Sequence, residues 1–293
     1  MATDIRERHP LRILVEGLSF PESPRWRDGW LWFSDLVSGQ VRAVDGAGQE
    51  MAVIDSPDEP GGLGWSPDGH LLVVGVTERK LLRYNGRWLT EFADLSGLTD
   101  YYLKALLVDS AGRAYISCSG FDDQKATAPQ PSQLILVETN GTARRVGSDL
   151  LLANGMAITP DRQTLIVAET ASQRLSAFDI AADGTLGRHR VWARFTGLTP
   201  GGLCLDREGA VWVASPLSSE VLRIREGGGI LDRISIPDNP TSCVLGGDEG
   251  KTLFVTVAAL VPPRPGSGRI EAIPVAIGAT DKGAPFGSAR CTR

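Results

Sequence analysis

Glu22, Lys104, Asn154 and Ser242 lie far apart in the chain, but each stands seven or eight residues ahead of a turn that is followed by an apolar run. The turn positions are Gly29, Gly69, Gly112, Arg162, Gly209 and Gly250. Eight residues before the last five stand Gly61, Lys104, Asn154, Gly201 and Ser242; in the first copy the count reaches Pro21, with Glu22 as its polar neighbour. If the copies surround an axis, a carboxylate, an ammonium, a carboxamide and a hydroxyl share one small volume, and two glycines leave room for a ligand. The carboxylate can bind a hard cation, act as a general base, or neutralise the lysine. The ammonium can stabilise an oxyanion or enolate, or, once desolvated, act as a base or form a Schiff base with a ketone. Burying either charge alone is unfavourable, so a plain salt bridge that fills the channel is the competing reading of the pair. Asn154, ahead of Gly155, also suits a turn that satisfies its own backbone. Tyr101 and Tyr102, just before Lys104, supply either phenolic donors or a packed rim.

No nucleophile and base pair offers itself elsewhere. His9 falls in the N-terminal segment, His70 follows a turn, and His189 is placed between strands, three positions that ordinarily belong to solvent. Cys118, Cys204, Cys243 and Cys291 are widely spaced, with no C-x-x-C and no Cys/His pairing at metal spacing. That argues against a disulfide framework and a zinc site, and suits a reducing cytoplasm. Cys204 and Cys243, in innermost strands, read as small core residues.

The elements that must bring these side chains together follow from the repeat. SPRWRDGWLWFSD, LGWSPDGHLLVVG, LLVDSAGRAYISC, MAITPDRQTLIVAE, LCLDREGAVWVAS and CVLGGDEGKTLFVTV share one pattern, and their turns are spaced by 40, 43, 50, 47 and 41 residues. A hairpin in each unit of that length is the mark of a propeller blade of four antiparallel strands, so the sequence predicts an all-β, six-bladed β-propeller. KLLRYNG, SQLILVETNG, QRLSAFDI and SEVLRIREG read as third strands, and RILVEGL paired with RIEAIPVAIG would close the ring. One domain over residues 1–293 is expected, with tails at 1–11 and 285–293 and two loops, Gly120 to Ser132 and Ala259 to Gly268, over one face. A net charge of −5 argues against a nucleic-acid binder driven by bulk charge. No run approaches the roughly 20 apolar residues of a membrane span, and the N-terminal charges precede no apolar segment, so a cytoplasmic protein is expected.

GLSFPESPRWRDGWLWFSDLVSGQV resembles the opening, and LLANGMAITPDRQTLIVAETASQRLSAFDI the middle signature, of the gluconolactonase and regucalcin (senescence-marker protein) family; GGLCLDREGAVWVAS and PTSCVLGGDEGKTLFVTVA resemble its later blades. The resemblance runs from about Leu14 to Ala258 and implies lactonases or related hydrolases with one divalent metal, commonly calcium or zinc, at the axis. It implies metal ligands at Glu22 and Asn154. The family's third ligand, an aspartate, falls on Gly201, and its Asn-Asp pair, metal and substrate contact followed by acid or base, falls on Lys104 and Ala105. Two negative groups are missing and a cation is gained, which suggests that Lys104 stands in for the metal; Lys104→Asn with Gly201→Asp is then expected to restore metal binding.

The reading that follows is a small-molecule enzyme that opens a lactone or related cyclic carbonyl compound without a tightly bound metal. Lys104 and Glu22 are its catalytic pair; Asn154, Tyr101, Tyr102 and Ser242 contact substrate. No cofactor is expected, with Ca2+ or Zn2+ on Glu22 and Asn154 as second choice, and no nucleic-acid, membrane or obligate protein partner. The alternatives are a Lys104-dependent lyase or isomerase acting on a ketone, and a non-catalytic ligand-binding propeller.

Overall fold

All six turn positions adopt the left-handed backbone, with φ between 63° and 87°. Five are glycine, which takes this conformation freely, and Arg162 is the exception at 63°. Each turn joins the innermost strand of a blade to the second. The computed structural model describes residues 10–121, 128–260 and 264–280. The expected tail 285–293, most of the tail 1–11, His9, Cys291, and the loop portions 122–127 and 261–263 lie outside the described residues.

Six sheets of four antiparallel strands form the blades of a propeller. The first comprises Pro21–Arg27, Trp30–Asp35, Gln40–Val44 and Glu50–Asp55. The innermost strands of the next four are Pro60–Trp65, Leu103–Val108, Ala153–Ile158 and Leu203–Leu205. The sixth blade combines Pro240–Gly246, Thr252–Val257 and Gly268–Pro274 with Arg12–Leu18 from the other end of the chain, so the pairing expected of RILVEGL and RIEAIPVAIG does close the ring. The segments expected as third strands hold that place in their blades.

Each blade packs on two neighbours, so most of its surface is interior. Six apolar clusters occupy the six interfaces between adjacent blades. Second strands are accordingly mostly apolar and buried, as in Leu71–Gly75 and Val211–Ser215, where every residue is buried. Close approach at the axis demands glycine: a Cβ on Gly62 would collide with the backbone of Leu106, and one on Gly202 with the Ser242 side chain.

Five of the innermost strands are irregular near their axial end, with register shifts between Glu22 and Arg25, Pro60 and Leu63, Leu103 and Leu106, Ala153 and Met156, and Pro240 and Ser242. Such bulges release a residue from the ladder and re-aim its side chain. The first hairpin is one residue shorter than the second, since Trp26 pairs Leu31 where Trp65 pairs Leu71. The fixed count from the turn therefore lands on Pro21 while the true counterpart of Gly61 is Glu22.

Candidate active site

Glu22, Gly61, Lys104, Asn154 and Ser242 line one cavity of about 370 Å3 at the end of the axis where the innermost strands begin. Gly202 lines it beside the sixth counted position, Gly201. Tyr102 also faces this space, whereas Tyr101 is not among the cavity's lining residues: its half-buried ring belongs to the connection before Leu103–Val108.

The approach to Glu22 is anchored by the buried Asp35, whose carboxylate accepts the backbone N–H groups of Ser19 (3.1 Å) and Phe20 (2.6 Å) and the Ser38 hydroxyl (2.7 Å). Ser23 then takes φ 52°, a left-handed conformation that is unfavourable for a residue with a side chain. In that conformation its N–H reaches the Glu22 carboxylate at 3.2 Å. Burial raises the Glu22 pKa above the ordinary carboxylate value; Lys104, the Ser23 N–H and Arg25 pull it back, Lys104 most strongly. Among the ion pairs of the described residues none joins Glu22 to Lys104 directly, so the two act on each other through charge across the cavity. This differs from a contact salt bridge that fills the channel.

Asn154 follows Leu152, another left-handed residue at φ 55°. Its Nδ2–H donates to Thr170 Oγ1 at 3.4 Å, and that hydroxyl donates its own proton to the Pro200 carbonyl at 2.7 Å. The direction of this chain orients the amide, leaving Oδ1 and one N–H to the cavity. Ser242 is 4% exposed and packs against Gly202. At Gly201 a Cβ would sit 2.7 Å from the Thr241 carbonyl oxygen and 3.5 Å from that of Ala214. The site therefore has no room for a side chain there, and the expectation that Gly201→Asp simply restores a ligand gives way to this crowding.

Arg25 escaped the sequence reading. It lines the same cavity and also the depression at the opposite end of the axis. Its Nε donates to Leu63 O (3.1 Å), Nη1 to Pro24 O (2.9 Å) and Nη2 to Leu106 O (2.6 Å), tying together the innermost strands of three blades. Burial lowers its pKa to about 10, with the neighbouring Cys204 and Glu22 pulling the other way, and it stays cationic at neutral pH. The signal was available. Counting three residues past each axial position gives Arg25, Gly64, Leu107, Ala157, Cys204 and Leu245, in which Arg25 is the one charged residue.

Cys118 and Cys243 are inert by environment, and burial pushes the Cys118 thiol up to about 12. Cys243 is buried, donates to Trp212 O at 3.5 Å, and is raised well above an ordinary thiol by burial and then by its neighbour Cys204. His70 is held by Asp68 (3.2 Å) and Arg83 (2.8 Å) away from the axis. His189 lies within the outer strand Leu186–Arg194, not between strands as the sequence suggested. Its Nε2–H donates to Ser176 Oγ (3.0 Å), because that hydroxyl is donated to the Glu169 carboxylate, and its Nδ1 accepts from Ser148 (2.9 Å). This network clasps two blades and does not reach the cavity.

A model of the SMP-30/gluconolactonase/LRE-like region matches residues 20–259. The 6-deoxy-6-sulfogluconolactonase of Pseudomonas putida is 27% identical over 247 residues, 80% of this chain and 82% of that protein. A pentonolactonase of Haloferax volcanii is 25% identical over 256 residues, 84% of each chain. In structure, a luciferin-regenerating enzyme matches with a TM-score of 0.81 at 17% identity, over 92% of this chain and 97% of that one, a likeness of fold. A regucalcin of Agrobacterium tumefaciens described as calcium-binding gives 0.77 at 21% identity, over 92% and 94%. With its six blades, its axial cavity and a family match that spans most of its length, the chain belongs to the SMP-30/gluconolactonase/LRE-like family.

Proposed function

We propose that the protein is a hydrolase that opens a lactone ring at the axial cavity, with Lys104 and Glu22 as the catalytic pair. The observation that carries this is the meeting, in one enclosed cavity, of a carboxyl group raised by burial and a lysine that couples to it by charge without contact. Lactonase activity in the relatives supports the reaction class.

In the reaction, Glu22 takes a proton from water as the water oxygen bonds to the lactone carbonyl carbon. A carboxyl group whose pKa lies above the usual value is the stronger base for this step. The carbonyl oxygen becomes an oxyanion, and the Lys104 ammonium lies in the cavity to stabilise it electrostatically. Asn154, its amide held by Thr170, orients the ring. The ring C–O bond then breaks, and protonated Glu22 returns its proton to the departing alkoxide oxygen. The product is the hydroxy acid, the lactone plus one water.

The divalent metal that the family implies does not fit the residues present. Glu22 is the one carboxylate lining the cavity among the described residues, Lys104 and Arg25 bring two cations to the same space, and Gly201 offers neither a side-chain oxygen nor room for a side chain. Among the described residues no group of three His, Cys, Asp or Glu side chains is placed to hold a metal. No step is assigned to such an ion. The test is ring opening of a lactone panel by the wild type, Glu22→Gln and Lys104→Gln, followed by acid release; full turnover in either variant overturns the assignment. Borohydride treatment with cyclic ketones should leave no adduct on Lys104, and a reduced adduct would favour lyase or isomerase chemistry instead.

A further inference from the structure

Glu22, Lys104, Asn154 and Ser242 come from one level, the first residues of the innermost strands, and the level outside it is mostly apolar. Phe20 and Leu152 precede innermost strands, Leu36 and Val76 follow second strands, and Phe121 and Leu217 lie in connections at the same end. Three of the hydroxyl groups interspersed among them already spend their protons on backbone carbonyl groups. Ser119 donates to Phe121 O (3.0 Å), Thr170 to Pro200 O (2.7 Å) and Thr241 to Pro21 O (3.0 Å). Their protons point into the backbone and are lost to a ligand. Away from Glu22, Lys104, Asn154, Ser242 and the hydroxyl groups of Ser23 and Thr199, a ring that bears several hydroxyl groups would thus meet mainly hydrocarbon, or acceptors without donors. Each hydroxyl left without a partner lowers affinity by about tenfold or more, while each methylene placed against the wall raises it by about fourfold.

We propose, building on the lactonase reading of this cavity, that its substrate is a lactone carrying an apolar alkyl or aryl substituent, and not a polyhydroxylated sugar lactone. The ring carbonyl meets Lys104, the attacked carbon faces Glu22, and the substituent lies along Leu36, Val76 and Leu217. Specificity then resides in the connections, and the catalytic pair needs only the ester.

The experiment is a chain-length series. kcat/KM is measured for γ-lactones with side chains of one to six carbons and for gluconolactone, and calorimetry gives Kd for the matching alkyl γ-lactams, which resist hydrolysis. Both kcat/KM and affinity should improve by about fourfold per methylene until the wall is covered, and gluconolactone should be the poorer substrate by at least tenfold. Leu217→Ser, at a residue 72% exposed and therefore safe for folding, should flatten the slope in both series, as should Leu36→Ser. A flat series, absence of lactam binding, or preference for gluconolactone overturns the proposal. Lactam affinity that climbs with chain length while no lactone is opened would uphold the apolar ligand and reject the hydrolase; turnover of lactones without any slope would do the reverse.

Discussion

Lys104→Gln should move the ionisation of Glu22 upward, because Lys104 is the strongest of the influences that hold it down against burial. The substitution keeps most of the side chain's length and removes its charge. Two unit charges separated by more than the roughly 4 Å of a contact pair interact by roughly 2–3 kcal/mol at an effective dielectric near 20. Water in a cavity of about 370 Å3 screens part of that. About half remains, and at roughly 1.36 kcal/mol per pH unit the ascending limb of kcat/KM should rise by about one unit. Lys104→Arg, which keeps the charge, should leave the limb in place. Stability gives a second readout that survives loss of activity. A carboxyl group with a raised pKa in the folded state stabilises the fold below its unfolded value near 4.5, and that contribution is lost as the pH rises through the folded value. In Lys104→Gln the loss continues to higher pH. The stability deficit of the variant should therefore grow by about 1.4 kcal/mol between acid and neutral pH, or about 2–4 °C in melting temperature. An unmoved limb together with a pH-independent deficit would show that Lys104 is not coupled to the catalytic carboxyl group.

Glu22→Gln should abolish the ascending limb and lower kcat by about 10²–10⁴-fold while changing the melting temperature little, since a neutral isostere removes the burden of a buried carboxylate; a large loss of stability would instead identify Glu22 as a structural counter-ion. Arg25→Met strips donors from the carbonyl groups of Leu63, Pro24 and Leu106, and should cost about 3–5 kcal/mol in a denaturant titration; a loss under about 1 kcal/mol would refute its role as the tie between blades. Lys104→Asn with Gly201→Asp should bind neither Ca2+ nor Zn2+ stoichiometrically and should lose about 1–3 kcal/mol from the clash with Thr241 O, and wild-type activity should be indifferent to chelator. Tight metal binding by the native protein with activity lost on chelation would overturn the metal-free reading.

Much of the architecture was legible in the chain because a propeller repeats. Six hairpins with left-handed turn positions recur at regular spacing, and their apolar strands must bury both faces, so blade number, strand order within the hairpins and ring closure followed from pattern alone. The convergence of Glu22, Lys104, Asn154 and Ser242 was also legible, since a fixed offset from a repeated turn becomes a fixed height on the axis. What the linear chain does not encode locally is how side chains are aimed and what is left over to bond. The bulges that turn Glu22 and Asn154 inward are mismatches between paired strands. The crowding at Gly201 comes from carbonyl groups in its own blade and the next. Arg25 gains its place by donating to the second and third blades, and the hydroxyl groups of Ser119, Thr170 and Thr241 donate their protons to carbonyl groups that pairing and packing bring beside them. Electrostatics followed the same division: the charges are written in the sequence, but the raised pKa of Glu22 exists only because six strands enclose it and hold Lys104 near without contact.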